Sequence, residues 1–399
     1  MLYLNALGIV SPLGPDCQST LTAFSNADAG GMQRDDHLLS RPITVGRVAE
    51  PLAPLPDNRA EFASRNNRLL WTACTQILTA IEHAVASHGR ERVGVILGTS
   101  TSGIAEGEAD YTHYLEHGRL PDNFHYGRQE LGAPARFLRQ VLDLTGPAYV
   151  ISTACSSSGK TFSAGARLIN AGLCDAVIVG GADSLCRMAI SGFESLQSIA
   201  AERCNPMSRN RDGINIGEAA AVFLLSREPA DIQLLGVGES TDAHHPNAPD
   251  PQGHGARLAM QAALDNARLA ATDIDYINLH GTATRLNDHM ESHAVSAVLG
   301  DTVAASSSKP LTGHALGAAS ALEAALLWLS LMQLENGAPV PPHCWDGEPD
   351  PELAALNLID ADQARLPTAR RAAMMSNSFA FGGSNVTLIL GRGWPESTA

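Results

Sequence analysis

Lysine is almost missing from this sequence. Only Lys160 and Lys309 occur, and the remaining basic residues are arginine. With 42 acidic against 27 basic residues the formal net charge is −15, which excludes general binding to a nucleic-acid backbone. No apolar run reaches the roughly 18 residues a membrane span requires, so no span is expected. The opening "MLYLNALGIVSPLG" lacks a basic leader and a small-residue cleavage site, and a cytoplasmic location is the expectation. The seven cysteines (Cys17, Cys74, Cys155, Cys174, Cys186, Cys204, Cys344) are odd in number and never spaced C-x-x-C, against a zinc ribbon or a disulfide framework. Fourteen histidines contain no H-E-x-x-H, and no metal is expected. Low-complexity tracts and flexible linkers are also missing.

Hydrophobic residues make up 44% and charged residues 17%, the balance of a well-packed chain. Strand-like runs stand at 92–100, 147–153, 175–182, 219–226, 232–240, 275–282 and 386–391. They are continuously apolar, as strands covered on both faces are. Helical patterns fill 156–173, 254–269, 288–299 and 317–334, which together with the strands predicts an α/β architecture. The chain also echoes itself. "YLNALGIVSPLG" and "IQLLGVGESTDAHH" each open a half, and "YVISTACSSS" and "YINLHGTAT" each run a strand into a reactive side chain. We read two halves, 1–231 and 232–399, whose reactive ends face one another.

Cys155 falls where a strand ends and a helix begins. The free N–H groups and partial positive charge of a helix N-terminus lower a thiol's pKa, which predicts an available thiolate. A cysteine in such a turn is also ordinary core packing, so its company decides. "LHGTATRLNDHMESHA" brings His280, Thr282, Thr284, Asp288 and Glu291; "SSSKPLTGHALGAASALEAA" brings Lys309 and His314; "SNSFAFGGSN" brings aromatic residues and a double glycine. One cysteine, two histidines at loop starts and a scarce lysine form an acyl-transfer set. A compact, titratable ammonium is what lysine offers and arginine does not.

In order and spacing, "TACSSS", "HGTAT", "KPLTGHALGAAS" and "NSFAFGGSN" resemble the β-ketoacyl-acyl-carrier-protein synthases, condensing enzymes of the thiolase superfamily, of the elongating Cys-His-His type. "RNRDGINIGEAAAVFLL" adds a further family segment, and the resemblance spans essentially the whole chain. It implies a duplicated, five-layered αβαβα fold of thiolase type. It implies Cys155 as the acyl-accepting nucleophile, with His280 and His314 stabilising the enolate left when a malonyl thioester loses carbon dioxide. Lys309 then holds the local charge balance and Glu323 supports the same network. Backbone N–H groups of Cys155 and Phe381 are implied as the oxyanion hole, and Thr282 and Thr284 as contacts to a phosphopantetheine arm. Phe379 and Phe381 border the site, with Phe381 as a gate. No covalently bound cofactor is implied.

The implied partner is an acyl carrier protein, itself acidic, so docking calls for a local basic patch. Arg59, Arg65 and Arg68 are the docking candidates, and Arg203, Arg209 and Arg211 form a second cluster; a solvated arginine face is the alternative. A homodimer, or a heterodimer with a ketosynthase-like chain-length factor, is expected. The chain departs from the family at Asn205–Ser208, Ile214, Ala380, Ser384 and Lys160, and "CSSSGK" and "GINIGEAAA" resemble ketosynthases of aryl-polyene pathways. A non-catalytic chain-length factor would lack the nucleophile present here, whereas acyl transfer or malonyl decarboxylation without condensation uses the same residues.

Overall fold

The computed structural model describes residues 1–48, 51–56 and 59–395; Asn58, beside the first arginine cluster, and the last four positions of the expected second half lie outside the described residues. The first half supplies strands β1 (Leu2–Val10), β2 (Met32–Asp35), β3 (Ile43–Gly46), β4 (Val93–Gly98), β5 (Ala148–Ile151), β6 (Ala176–Asp183) and β7 (Ala219–Ser226). Its helices are α1 (Cys17–Ser25), α2 (Arg65–Thr75), α3 (Leu78–His88), α4 (Ile104–His117), α5 (Ala133–Val141), α6 (Ser157–Asn170) and α7 (Arg187–Ser195). The second half supplies β8 (Ile232–Thr241), β9 (Tyr276–Asn278), β10 (Ala304–Ser306), β11 (Asn357–Leu358), β12 (Ala372–Phe379) and β13 (Ser384–Arg392). Between them run α8 (His254–Ala267), α9 (Arg285–Leu299), α10 (Lys309–Thr312) and α11 (Ala319–Met332).

Eleven strands form one hydrogen-bonded sheet in the order β11-β10-β9-β12-β13-β8-β1-β7-β6-β4-β5, and β2 and β3 pair separately. The halves meet where Leu2 faces Leu234 and Tyr3 faces Gln233. Outward from that junction each half repeats one pattern. β1 is antiparallel to β7 and β7 to β6, after which β6–β4 and β4–β5 are parallel. In the other direction β8 is antiparallel to β13 and β13 to β12, after which β12–β9 and β9–β10 are parallel. The duplication is therefore visible in the topology, with one adjustment to the expected echo. β5, ahead of Cys155, corresponds to β10; β9, ahead of His280, corresponds to β4. Both are short parallel strands ending in small hydroxyl-rich turns, so local pattern alone does not distinguish them.

Each layer follows from its residues. β4, β6 and β7 are buried at every position because helices cover both their faces. α11 is apolar nearly all round, as a helix in a central layer must be, and it packs on α6 and on β7, β12 and β13. α6 in turn lies on β4 and β6. Outside the sheet, α2, α3 and α5 cover the first half, while α8 covers β8 and β13 with α9 beside it. The five layers are thus outer helices, first sheet half, α6 with α11, second sheet half, outer helices. The residues needed for chemistry gather at the C-terminal ends of β5, β9, β10 and β12, the ends at which open parallel sheets bind ligands. β12 escaped the sequence reading because its "AAMMSNSF" lacks the β-branched residues that mark a strand.

Candidate active site

Cys155 sits between β5 and α6, one residue ahead of the N-cap Ser156. Its neighbour Ala154 adopts a left-handed φ of 52°, which costs an L-residue about 1–2 kcal/mol and needs support. The serines provide it. Thr153 N–H donates to Ser157 Oγ at 2.8 Å, Ser157 Oγ donates to the Ala154 carbonyl at 2.5 Å, and Ser156 Oγ donates to the Thr153 carbonyl at 2.8 Å. Ser156 consequently turns away from the helix it precedes and makes no side-chain cap. At Gly159 a Cβ would lie 2.6 Å from Val386 Cγ1 and 3.0 Å from Ser320 Cβ, so only glycine lets α6 reach α11 so closely.

The fold brings the two histidines to this thiol. One donor atom from each of Cys155, His280 and His314 lies within 4.8 Å of the others, and all three residues are buried. His314 Nε2 is 3.0 Å from Cys155 Sγ, and the imidazoles stand edge to face with centroids 5.3 Å apart. On the far side of His314, Nδ1 accepts the Leu316 N–H at 3.1 Å. An Nδ1 that accepts places the proton of a neutral ring on Nε2, which therefore donates toward the sulfur. The same contact opposes a metal at Nε2, since coordination there would move the proton onto Nδ1, where the Leu316 N–H already points. His280 is held through its backbone: the Glu291 carboxylate accepts the N–H groups of His280 and Gly281, each at 2.7 Å.

Lys309 is buried with its Nζ 2.5 Å from Glu323 Oε1. Ser378 lies on Glu323 as well, and Ser320 Oγ is 2.7 Å from Ser378 Oγ and 3.0 Å from the Cys155 carbonyl, so the ion pair is wired to the nucleophile's own backbone. Burial, and then the Lys309 charge, push both imidazoles well below the ordinary histidine range and keep them neutral. The thiol departs from the expectation. Burial raises Cys155 to about 11; Lys309 and the N–H groups of Phe381 and Cys155 pull against that rise without overcoming it. The helix N-terminus is thus outweighed by the loss of water around a sulfur enclosed by apolar rings. Burial likewise lifts Glu291 to about 7, against the two N–H groups it accepts.

Cys155, His280, His314, Thr282, Thr284, Phe379 and Phe381 line one small cavity together with Phe193, Ile214 and Asn287. Its volume of about 20 Å³ holds little more than a water molecule. Phe381 closes it by packing against Phe193 with centroids 5.5 Å apart, and Phe379 lies 6.3 Å from the His280 ring. A larger cavity of about 240 Å³ shares Thr284, Asn287, Phe379 and Phe381 and continues past Arg285 and Asp242, which defines a route to the sulfur. The hydroxyls of Thr282 and Thr284 are 2.9 Å apart along it. Phe193, on α7, was not legible beforehand, because nothing local marks a helix residue brought in from elsewhere in the chain, and Ile214 stands out in the sequence only as a departure from the family. Glu291 carried a signal in its position, one helical turn past Asn287 behind "HGTAT".

Lys160 is half-buried on α6 and its ammonium makes no hydrogen bond or ion pair among the described residues, so one of the two scarce lysines joins the cluster and the other does not. The arginines separate similarly. Arg59 and Arg68 reach solvent, and Arg59 shares a cleft with Arg136 and Arg139. Arg65 is instead held by the fully buried Glu218, Nη2 to Oε1 at 2.5 Å. Arg211 is buried on Asp350, and Arg209 is paired with Glu348.

Comparison with known proteins follows the same lines. Residues 26–230 match the N-terminal domain of β-ketoacyl synthases, and residues 232–343 match their C-terminal domain. Nodulation protein E of Rhizobium meliloti is 34% identical over 74% of this chain and 75% of its own. The 3-oxoacyl-[acyl-carrier-protein] synthase 2 of Staphylococcus aureus is 28% identical over 97% of both chains. Among solved structures, the ketosynthase ApeO, in complex with its chain length factor ApeC from Xenorhabdus doucetiae, superposes with a TM-score of 0.92 at 45% identity, covering 98% of each chain.

Proposed function

The chain belongs to the β-ketoacyl synthase family, and on that premise we propose that Cys155, His280, His314 and Lys309 carry a decarboxylative condensation. The observation that supports this most directly is the meeting of a thiol and two neutral imidazoles within 4.8 Å, at the ends of strands from both repeats. In the first step Cys155 sulfur attacks the carbonyl of an acyl thioester carried on the phosphopantetheine arm of an acyl carrier protein. Its proton passes to the departing pantetheine thiol. The Cys155 and Phe381 N–H groups that face the sulfur are placed to receive the oxyanion as it forms.

In the second step a malonyl thioester loses carbon dioxide, and its carbonyl oxygen takes the enolate charge. The His314 Nε2–H, with the His280 ring beside it, stabilises that charge. Because both rings are already neutral donors, no proton has to move at that moment. The enolate carbon bonds to the acyl carbon, the C–S bond to Cys155 breaks, and the released thiolate takes a proton from solvent water, the one proton the condensation consumes. Lys309 keeps the imidazoles neutral, and Glu323 balances Lys309. Thr282 and Thr284 contact the pantetheine arm, while Phe381 must part from Phe193 before an acyl chain can enter.

Arg59 and Arg68 are the docking residues we assign to the acidic carrier, reinforced by Arg136 and Arg139. As partner we infer a ketosynthase-like chain-length factor, as in the ApeO complex. In support, β5 is the outermost strand of the sheet among the described residues, and α4 exposes Tyr111, Tyr114 and Leu115. The substrate class inferred is a polyunsaturated chain of the aryl-polyene type, supported by 45% identity to ApeO.

Intact mass spectrometry tests these readings. Wild type and Cys155→Ala are incubated with acyl carriers of several lengths and degrees of unsaturation, with and without the partner chain. An adduct on the wild type alone, discharged as a β-ketoacyl product by malonyl carrier, is the expected result. Equal acylation of the alanine variant would overturn the mechanism, and a clear preference for saturated chains would overturn the polyene assignment.

A further inference from the structure

Asp183, the last residue of β6, is completely buried, and its partners are all neutral donors. Oδ1 accepts Thr99 Oγ1 at 2.6 Å, Thr101 Oγ1 at 2.7 Å, and the N–H groups of Ser100 and Thr101 at 2.8 Å each. The two threonine hydroxyls accept in their turn from Ser102 N–H at 3.0 Å and Ser184 N–H at 3.2 Å, so their protons are directed at the carboxylate. Oδ2 shares the Ser100 N–H at 3.1 Å and reaches into the second half to accept the Ala318 N–H at 3.2 Å, an N–H that also donates to the Ala315 carbonyl at 2.9 Å. Burying a carboxylate with no cation against it is costly, and such a group calls for an explanation.

That explanation lies in what Ala318 belongs to. Leu316–Ala318 forms the turn between His314 and α11. Leu316 has a left-handed φ of 48°, which costs a leucine about 1–2 kcal/mol and persists only when held from outside. At Gly317 a Cβ would lie 2.8 Å from both Asp183 Oδ2 and Ser100 Oγ, so the turn is seated directly on the carboxylate. The repeat adds a second observation. The loops after the equivalent strands β4 and β9 carry the same spacing, Gly98-Thr99-Ser100-Thr101 and Gly281-Thr282-Ala283-Thr284. The second pair of threonines lines the reaction cavity, whereas the first is turned onto Asp183.

We propose that Asp183 is a positioning residue for His314: it anchors the 316–318 turn, whose Leu316 N–H holds His314 Nδ1 and keeps Nε2–H facing Cys155. This rests on the condensing mechanism above for its catalytic consequence, but not for its structural one.

Asp183→Asn has one accepting oxygen where the site needs two, so its NH₂ meets either the Ala318 N–H or the β4 loop. The test labels the histidines of the full chain with ¹⁵N, assigns His314 by its loss in His314→Asn, and reads its tautomer. Wild type is expected to show His314 as Nε2–H alone, and Asp183→Asn a mixture of tautomers. In the same variant kcat for malonyl decarboxylation and condensation is expected to fall about tenfold or more, with KM and the rate of Cys155 acylation within about threefold. Gly317→Ala pushes the turn off the carboxylate from the other side, is expected to behave alike, and decides the matter if Asp183→Asn does not fold. A single unchanged tautomer, or acylation and condensation falling in equal proportion, would overturn the proposal. A wild type that forms neither adduct nor product would defeat the condensing mechanism, and the tautomer comparison would still decide the role of Asp183.

Discussion

Replacing Lys309 with methionine removes an ammonium and keeps most of its volume. Glu323, 2% exposed and 2.5 Å from that ammonium, is then left without its counter-charge. Burial already raises the Glu323 carboxyl above its ordinary 4.5, and Lys309 is the largest force opposing that rise. In Lys309→Met that opposing force is gone, so the folded-state carboxyl rises further above the 4.5 of the unfolded chain. Breaking a buried ion pair from one side typically costs roughly 3–5 kcal/mol, and that is the loss expected at pH 7. A folded-state pKa raised above the unfolded value stabilises at low pH and loses that contribution as pH rises. The deficit of the variant should accordingly be nearly absent at pH 4.5 and grow steadily to pH 7. Urea midpoints of wild type, Lys309→Met and Lys309→Met/Glu323→Gln at three pH values measure it. The double variant should regain most of the loss and show no added pH slope relative to wild type. Parallel pH curves for Lys309→Met and wild type would refute the reasoning.

The buried thiol, raised to about 11, predicts that alkylation of Cys155 by iodoacetamide accelerates about tenfold per pH unit from 7 to 10. A plateau near pH 8.5, followed by peptide mass spectrometry, would show an ordinary thiol instead. Phe381→Ala keeps the backbone N–H but removes the ring packed on Phe193. It should speed labelling of Cys155 by a bulky aryl maleimide far more than by iodoacetamide, and equal acceleration of both reagents would count against a gate. Arg65→Ala strands the buried Glu218 carboxylate and should cost about 3–5 kcal/mol in urea unfolding, whereas the exposed Arg68→Ala should stay within about 0.5 kcal/mol and raise the carrier KM. Equal stability losses would contradict that division.

Much of this protein could be read along the chain. Continuous apolar runs mark β4, β6 and β7 because a strand covered on both faces has no polar side to show. The cysteine at a strand-to-helix turn, the histidines opening two loops and the lone interior lysine are legible because each is out of keeping with its surroundings. What the sequence could not determine depends on residues distant in the chain. The thiol's rise to about 11 is set by rings and charges from four separate segments, and a local helix N-terminus does not predict it. The proton position on His314 follows from one N–H on a left-handed leucine, and left-handed backbone at a non-glycine residue leaves no compositional mark. The arginines at 65 and 68 are three positions apart on one helix, yet Glu218, 153 residues from Arg65, claims one and leaves the other to solvent. Sequence determined which chemical groups the protein has and which local elements carry them. Only the packing of two repeats through their central helices decided which groups meet, because the energies of burial and charge that tune them depend on distance in space.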